Sequence, residues 1–151
     1  MRIAIGSDHR GYQLKSRLVE CLQQRGYEVV DCGTHSADSC DYPEYAQAVA
    51  DAVSQDEAQR GILICGTGIG MAIAANKVPG VRAAPVQDEL SAEMSRRHND
   101  LNVLCLSADM LGQKNIESMI DVWLKNEFEG GRHARRVERI AQIERRGLQD
   151  E

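Results

Sequence analysis

Aromatic residues are scarce in this chain. One Trp, one Phe and four Tyr in 151 residues leave a core that must be built from aliphatic side chains. No apolar run approaches the ~20 residues needed to span a membrane as a helix. Basic excess is missing too: 18 Lys and Arg stand against 23 Asp and Glu, for a net charge of −5. That balance argues against a dedicated nucleic-acid binder, which needs cations to neutralise phosphates, although a local basic site remains compatible with it. The start, Met1-Arg-Ile-Ala-Ile-Gly6, lacks a signal-peptide pattern and reads directly as a strand. The five cysteines, Cys21, Cys32, Cys40, Cys65 and Cys105, form no CxxC pair and are odd in number. They fit a reducing cytoplasm better than a disulfide scaffold or a zinc site. Internal repeats, low-complexity tracts and linkers are absent, so a single domain over 1–151 is expected, long enough to bury roughly two thirds of its unfolded surface.

What is present centres on Gly61-Ile62-Leu63-Ile64-Cys65-Gly66-Thr67-Gly68-Ile69-Gly70-Met71. Ile62–Ile64 is a short unbroken apolar run, the pattern of a strand buried on both faces. Cys65 stands where that strand should end. Gly66, Thr67, Gly68 and Gly70 form a turn with little side-chain bulk, and Met71–Asn76 follows as a run of good helix formers. Strand, glycine turn and helix start together make an anion site, because free amide N–H groups and the positive helix end face one spot. A thiol at the edge of such a spot is favoured as thiolate. The bland reading of Cys65 is a small buried apolar residue, the reading given to Cys21 and Cys105, which lie within apolar patterns. A dinucleotide fingerprint is the other alternative for the turn, but GxGxxG would need glycine at 71, where Met71 stands.

Around this stretch the chain alternates strands and helices. Arg2–Gly6 reads as the first strand, and Leu14, Leu18, Cys21 and Leu22 mark a helix that Gly26 closes. Tyr27–Asp31 is the second strand. After a polar segment, Pro43 starts a helix striped by Ala46, Val49, Ala50 and Val53. Val81–Val86 is a fourth strand, weakened by Pro85. Asp88–His98 reads as a helix with Leu90 and Met94 inward. Asn102–Leu106 is the fifth strand, Ile116, Met119, Ile120, Trp123 and Leu124 mark a periodic helix, and Gly130-Gly131 precedes a last helix over about Arg132–Arg146. The alternation predicts an α/β fold: a Rossmann-like three-layer α/β/α sandwich around a five-stranded parallel sheet, with an extra C-terminal helix. Ligands of such sheets bind beyond the carboxyl ends of the strands, where the strand order switches. Asp8, His9, Cys65 and Thr67 should meet there.

The remaining candidates have bland readings as well. His9 could be a surface histidine, and His98-Asn99 a C-terminal cap complementing the dipole. The basic run Arg132, His133, Arg135, Arg136, Arg139 could be a solvated helix face. It starts a helix, however, where cations oppose the dipole, and this placement suggests that an anion is expected. His35 and Cys40 receive no role.

Five motifs together carry a resemblance: Gly6-Ser-Asp8-His9-Arg-Gly11, Asp41-Tyr42-Pro43-Glu-Tyr45-Ala46, Gly61 to Gly70, Arg97-His98-Asn99-Asp100 and Glu129-Gly130-Gly131-Arg132-His133. The chain resembles ribose-5-phosphate isomerase of the B type, in a family that also includes galactose-6-phosphate and allose-6-phosphate isomerases. The resemblance implies interconversion of ribose 5-phosphate and ribulose 5-phosphate without metal or organic cofactor. It implies Cys65 as the base between C1 and C2, and His98 with Thr67 and Asp8 in ring opening. The Gly66, Thr67, Gly68, Ile69 and Gly70 amides would stabilise the enediolate. His9, Arg132 and Arg136 would hold the phosphate, and Asn99 and Tyr42 would touch sugar hydroxyls. It further implies a homodimer or tetramer whose sites are shared between subunits, the tail helix reaching across to a partner. One position departs: similar proteins usually carry an arginine shortly after the fifth strand, and here Asp109 stands, for which Arg135 or Arg139 could compensate. A six-carbon isomerase, a sugar-phosphate binder without catalysis and a nucleotide-binding module are the alternatives.

Overall fold

The computed structural model describes residues 1–149, so the last two residues of the expected domain lie outside the described residues. Five strands form one parallel sheet: β1 (Arg2–Ser7), β2 (Glu28–Asp31), β3 (Arg60–Cys65), β4 (Ala83–Pro85) and β5 (Val103–Ser107), in the order β2-β1-β3-β5-β4. Six helices accompany it: α1 (Tyr12–Gln24), α2 (Tyr42–Ser54), α3 (Ile69–Ala75), α4 (Glu89–Asn99), α5 (Gln113–Lys125) and α6 (Arg132–Gln149). This is the expected α/β sandwich with its additional terminal helix.

The sheet is central because its middle strands have no polar face. Ile62, Leu63 and Ile64 are all fully buried, yet they point to opposite sides, as the period of two requires. Ile62 and Ile64 join Leu14, Leu18, Ile116 and Trp123 in one core cluster, under α1 and α5. Leu63 and Cys65 join Val49, Val53, Met71 and Ala75 in a second cluster, under α2 and α3. The single Trp thus anchors one layer, and the other is wholly aliphatic apart from its sulfur atoms and the flanking Tyr45 ring. The sheet's edges are blunted: β2 carries Glu28 and Asp31, and β4 is only three residues long and ends on Pro85, whose missing N–H is harmless on an edge.

Local signals behave as their chemistry dictates. Gly26 follows α1 at φ +87°, the left-handed residue that closes a helix. Pro43 occupies the first turn of α2. Asp88 caps α4 by accepting from the Ser91 N–H at 2.7 Å.

Three expectations need correction. Leu90 does not face inward. It is 67% exposed and Met94 is only half-buried, because α4 turns its Ala92 and Arg96 face to the core. Arg96 can be buried because it donates to the Leu101 carbonyl at 2.6 Å and pairs with Asp100 at 2.9 Å. Cys21 is half-buried on the flank of α1, whereas Cys105 is buried as expected. Helix α3 begins at Ile69, two residues before the expected run.

Candidate active site

Strands β1, β3 and β5 are neighbours, and their register pairs Ser7 with Ile64 and Cys65 with Ser107, so all three end level. Between β1 and β3 the chain reverses its direction of travel across the sheet, since β2 lies on one side of β1 and β3 on the other. The loops after β1, β3 and β5 therefore converge at the switch point, where such sheets bind ligands. They enclose a cavity of about 400 Å3. Cys65, Gly66, Thr67 and Gly70 form one wall, Asp8 and Arg10 another, and Tyr42 and Asp109 complete the rim.

Cys65 is 6% exposed. The sequence reading expected a more open sulfur, but the small remaining surface borders the cavity. The Gly68 N–H donates to Cys65 Sγ at 3.1 Å, and the Ile69 N–H donates to Thr67 Oγ1 at 3.2 Å. Two of the five loop amides thus already have partners within the loop. Gly70, in the first turn of α3, belongs to the positions where helix geometry leaves N–H groups without an intrahelical acceptor. Gly68 must be glycine on two counts: its φ is +78°, and a Cβ there would lie 3.2 Å from the Leu106 backbone. The β5 end braces the loop, with Ser107 Oγ donating to the Gly66 carbonyl at 2.6 Å and the Ala108 N–H donating to the Cys65 carbonyl at 2.9 Å. Desolvation, with a smaller push from Cys65, raises the Cys105 thiol far above its ordinary range. Cys105 is a packing residue, whereas Cys65 alone among the cysteines borders the cavity.

Asp8 is buried, and its Oδ1 accepts from the N–H groups of Arg10 and Gly11 at 3.0 and 3.2 Å, which fixes the β1 turn. Tyr42 lies across Gly70, where a Cβ would meet its ring at 2.6 Å. His9 sits in the same turn as Asp8 but does not line the cavity. Its Nδ1 faces the Cys40 N–H at 3.3 Å, so the unassigned Cys40 is its neighbour. Arg10 and Asp109 border the cavity as an ion pair. Sequence reasoning gave Arg10 no role, although its place at the carboxyl end of β1 was the available signal.

His98, Asn99, Arg132 and Arg136 stand apart from this cavity within the chain. His98 stacks on His133 with ring centroids 4.1 Å apart and planes 9° from parallel. Glu129 lies beside both, 4.0 Å from His98 and 3.6 Å from His133, and is also paired with Arg97. Hydrogen bonding from Arg97 holds the Glu129 carboxyl below its ordinary value. Burial, then the charges of His98 and Arg132, push His133 below its own, against the pull of Glu129. His98, Glu129 and His133 bring their ligand atoms within 4.8 Å of one another. Their geometry suits an ion-pair cluster better than a metal centre, because near-parallel rings direct their lone pairs side by side. Asn99 borders a different hollow of about 610 Å3, with Ile140 and Ile143 on one wall. Another of about 450 Å3 lies between Gln87–Leu90 and Met119. Both exceed the Cys65 cavity in size, yet neither lies at the switch point of the sheet or is lined by a cysteine.

A parallel α/β sheet with a thiol, a glycine loop and paired charges at its switch point defines a small-ligand α/β protein with a cysteine-centred pocket. The chain belongs to the Ribose/Galactose Isomerase family, whose profile matches residues 3–140. It is 49% identical to ribose-5-phosphate isomerase B of Escherichia coli (strain K12) over 145 residues, 96% of this chain and 97% of that protein. Among solved structures, ribose-5-phosphate isomerase B of Clostridium thermocellum superposes with a TM-score of 0.95 at 53% identity, covering 97% of this chain and 99% of that one. The Mycoplasma genitalium ribose-5-phosphate isomerase B with bound ribulose-5-phosphate superposes at 0.93 and 44% identity, over 95% and 96% of the two chains.

Proposed function

We propose that this protein is an aldose–ketose isomerase that interconverts ribose 5-phosphate and ribulose 5-phosphate, a step of pentose phosphate metabolism. The observation that carries the proposal is Cys65, held on the wall of a glycine-lined cavity at the switch point of the sheet. Relatives that match over nearly their whole length and bear that activity in their names support it. The difficulty of the reaction is a weakly acidic C–H. Its proton must move between C2 and C1 while an enediolate charge develops beside it. A thiol suits the task, since its reference pKa of about 8.5 needs little change to work near neutrality. In the proposed mechanism Cys65 takes the proton and returns it. The loop amides stabilise the enediolate, where the loss of one such donor typically costs about a hundredfold or more in rate. Thr67, Asp8 and His98 assist ring opening, Tyr42 and Asn99 meet hydroxyls, and His9, Arg132 and Arg136 hold the phosphate.

That assignment needs a second copy of the chain, because His98, Arg132 and Arg136 do not line the cavity of their own subunit. Helix α6 supports this reading. His133 is its one buried residue, and Ile140, Ile143 and Leu148 stand 47%, 70% and 54% exposed. A single domain working as a homodimer, or a tetramer built from it, would cover that stripe and bring the basic helix to a partner's pocket. A cytoplasmic setting fits five free thiols, which a reducing compartment preserves. The test is formation of ribulose 5-phosphate from ribose 5-phosphate, alongside allose 6-phosphate and galactose 6-phosphate. Faster turnover of a six-carbon substrate would move the assignment within the family. Tight calorimetric binding without product would replace the enzyme by a binder.

A further inference from the structure

Arg10 and Asp109 meet at the mouth of the Cys65 cavity, although they are 99 residues apart in sequence. They come from the loops after β1 and β5. Both lie over Gly66, where a Cβ would meet Asp109 Oδ2 at 2.9 Å and Arg10 Nε at 3.1 Å. The backbone under each is fixed. The Arg10 N–H donates to Asp8 Oδ1 at 3.0 Å, and the Asp109 N–H donates to the Gly66 carbonyl at 3.3 Å. The loop that holds Cys65 therefore also holds the backbone of Asp109, and the β1 turn holds that of Arg10. Their side chains are 57% and 40% exposed, so solvent screens the pair and leaves it little weight in stability. Its consequence is for what enters the cavity, of which Arg10 is the only lining cation among the described residues.

We propose that Arg10 is the cation with which a subunit's own pocket binds the phosphate of its substrate, and that Asp109 is the positioning residue that holds the guanidinium over Gly66. The inference rests on the sugar-phosphate reading above. A guanidinium has five N–H donors in a rigid fork that matches phosphate oxygens. Asp109 engages the Nη2 corner, which leaves donors for an anion. By fixing the long side chain in advance, Asp109 lowers the ordering cost that binding would otherwise incur. The departure noted in the sequence thereby acquires a reason. Where similar proteins place an arginine after the fifth strand, this chain places an acid there and brings its cation from the facing loop. Arg135 and Arg139, the other candidates for compensation, are exposed on α6, and neither lines the cavity.

The test combines steady-state kinetics on ribose 5-phosphate with competitive inhibition by inorganic phosphate. Arg10→Ala should raise both KM and the phosphate inhibition constant about 10- to 100-fold, the weight of a charge-assisted hydrogen bond, with a much smaller fall in kcat. Arg10→Lys should recover part of the loss, having the charge without the fork. Asp109→Asn should raise KM severalfold, yet add nothing in the Arg10→Ala background, because it acts through Arg10. Unchanged KM and phosphate inhibition in a folded Arg10→Ala protein would overturn the assignment. Tighter phosphate binding by Asp109→Asn would overturn the positioning role. Should the wild type bind ribose 5-phosphate without turning it over, the isomerase reading fails, and calorimetric comparison of wild type with Arg10→Ala still decides the role of Arg10.

Discussion

Gly68 donates its backbone N–H to the Cys65 sulfur across 3.1 Å. The contact ties the sulfur to the left-handed residue that opens α3, so loop conformation and sulfur position are set together. Replacing Cys65 by alanine removes the proposed base and also leaves that N–H without its acceptor. Serine keeps an acceptor of similar reach but is a far weaker acid. Both variants should lose about 10²- to 10⁴-fold in kcat, while alanine should lose more stability than serine. Ribulose 5-phosphate formation and urea unfolding of the two proteins provide the measurement. Near-normal turnover in either would remove Cys65 from the mechanism.

The part of this site written in consecutive residues was legible before any coordinates. An apolar run, a cysteine and a glycine turn dictate a buried strand ending at a pocket, and Cys65, Thr67, Gly66, Gly70 and Asp8 line one. Strong periodicity placed Ile116, Met119, Ile120 and Trp123 in the core for the same reason. Helix α4 was harder because it has few apolar residues, so its inward face was ambiguous. Tertiary partners for Arg96 decided it, and a charged residue went in while Leu90 stayed out. Arg10 was invisible as a site residue because its meaning lies in Asp109. A sequence displays the odd acid but not the cation that folding brings to it.

A second charge pair lies deeper and was equally unannounced. Lys15 is 1% exposed on α1, and its Nζ contacts both carboxylate oxygens of Asp31 at 2.6 and 2.7 Å. Asp31 Oδ1 also accepts from the Gly33 N–H at 2.9 Å, and the Gly33 carbonyl accepts from the Ser7 N–H at 2.7 Å, one residue before Asp8. The pair thus supports the β1 end of the pocket from behind. Lys15→Ala should destabilise by about 2 kcal/mol, chiefly by emptying the volume of the buried Lys15 stem, because Asp31 reaches solvent and keeps its Gly33 donor. Lys15→Met, which fills the volume, should cost less. Denaturant titration checks the order, and a Lys15→Ala protein as stable as wild type would refute it.

The stack of His98 and His133 beside Glu129 makes a statement about acid stability. His133 is held below its ordinary value of 6.5 in the folded chain. The unfolded chain therefore binds a proton at higher pH, and stability falls as pH drops below about 6.5. Glu129 is also held below its ordinary 4.5, so its contribution is present above that value and is lost as pH falls through its folded pKa. Both losses run in the acid direction, one after the other. Melting temperature followed from about pH 8 to about pH 2.5 should stay level and then decline in two stages, the first below about pH 6.5 and the second below about pH 4.5. His133→Gln should flatten the first stage. A melting temperature that rises between about pH 7 and pH 6 would contradict the sign.

Sharing of sites between subunits can be tested with two inactive proteins. In the proposed arrangement, His98→Ala and Cys65→Ala each disable every site of a homodimer of their own kind. If a site draws Cys65 from one subunit and His98 from the other, a mixed dimer has one doubly disabled site and one intact site. Unfolding and refolding the two variants together in equal amounts makes half of the dimers mixed, and should restore about a quarter of wild-type activity, on two-fold symmetry and random pairing. A site contained within one subunit gives nothing, since each chain then carries its own lesion. The exposed stripe on α6 supplies the control. Glutamates at Ile140 and Ile143 should separate the subunits in sedimentation and abolish the restored activity together, leaving the Cys65 cavity of each chain intact. Restored activity in a sample that sediments wholly as monomer would refute the shared-site arrangement.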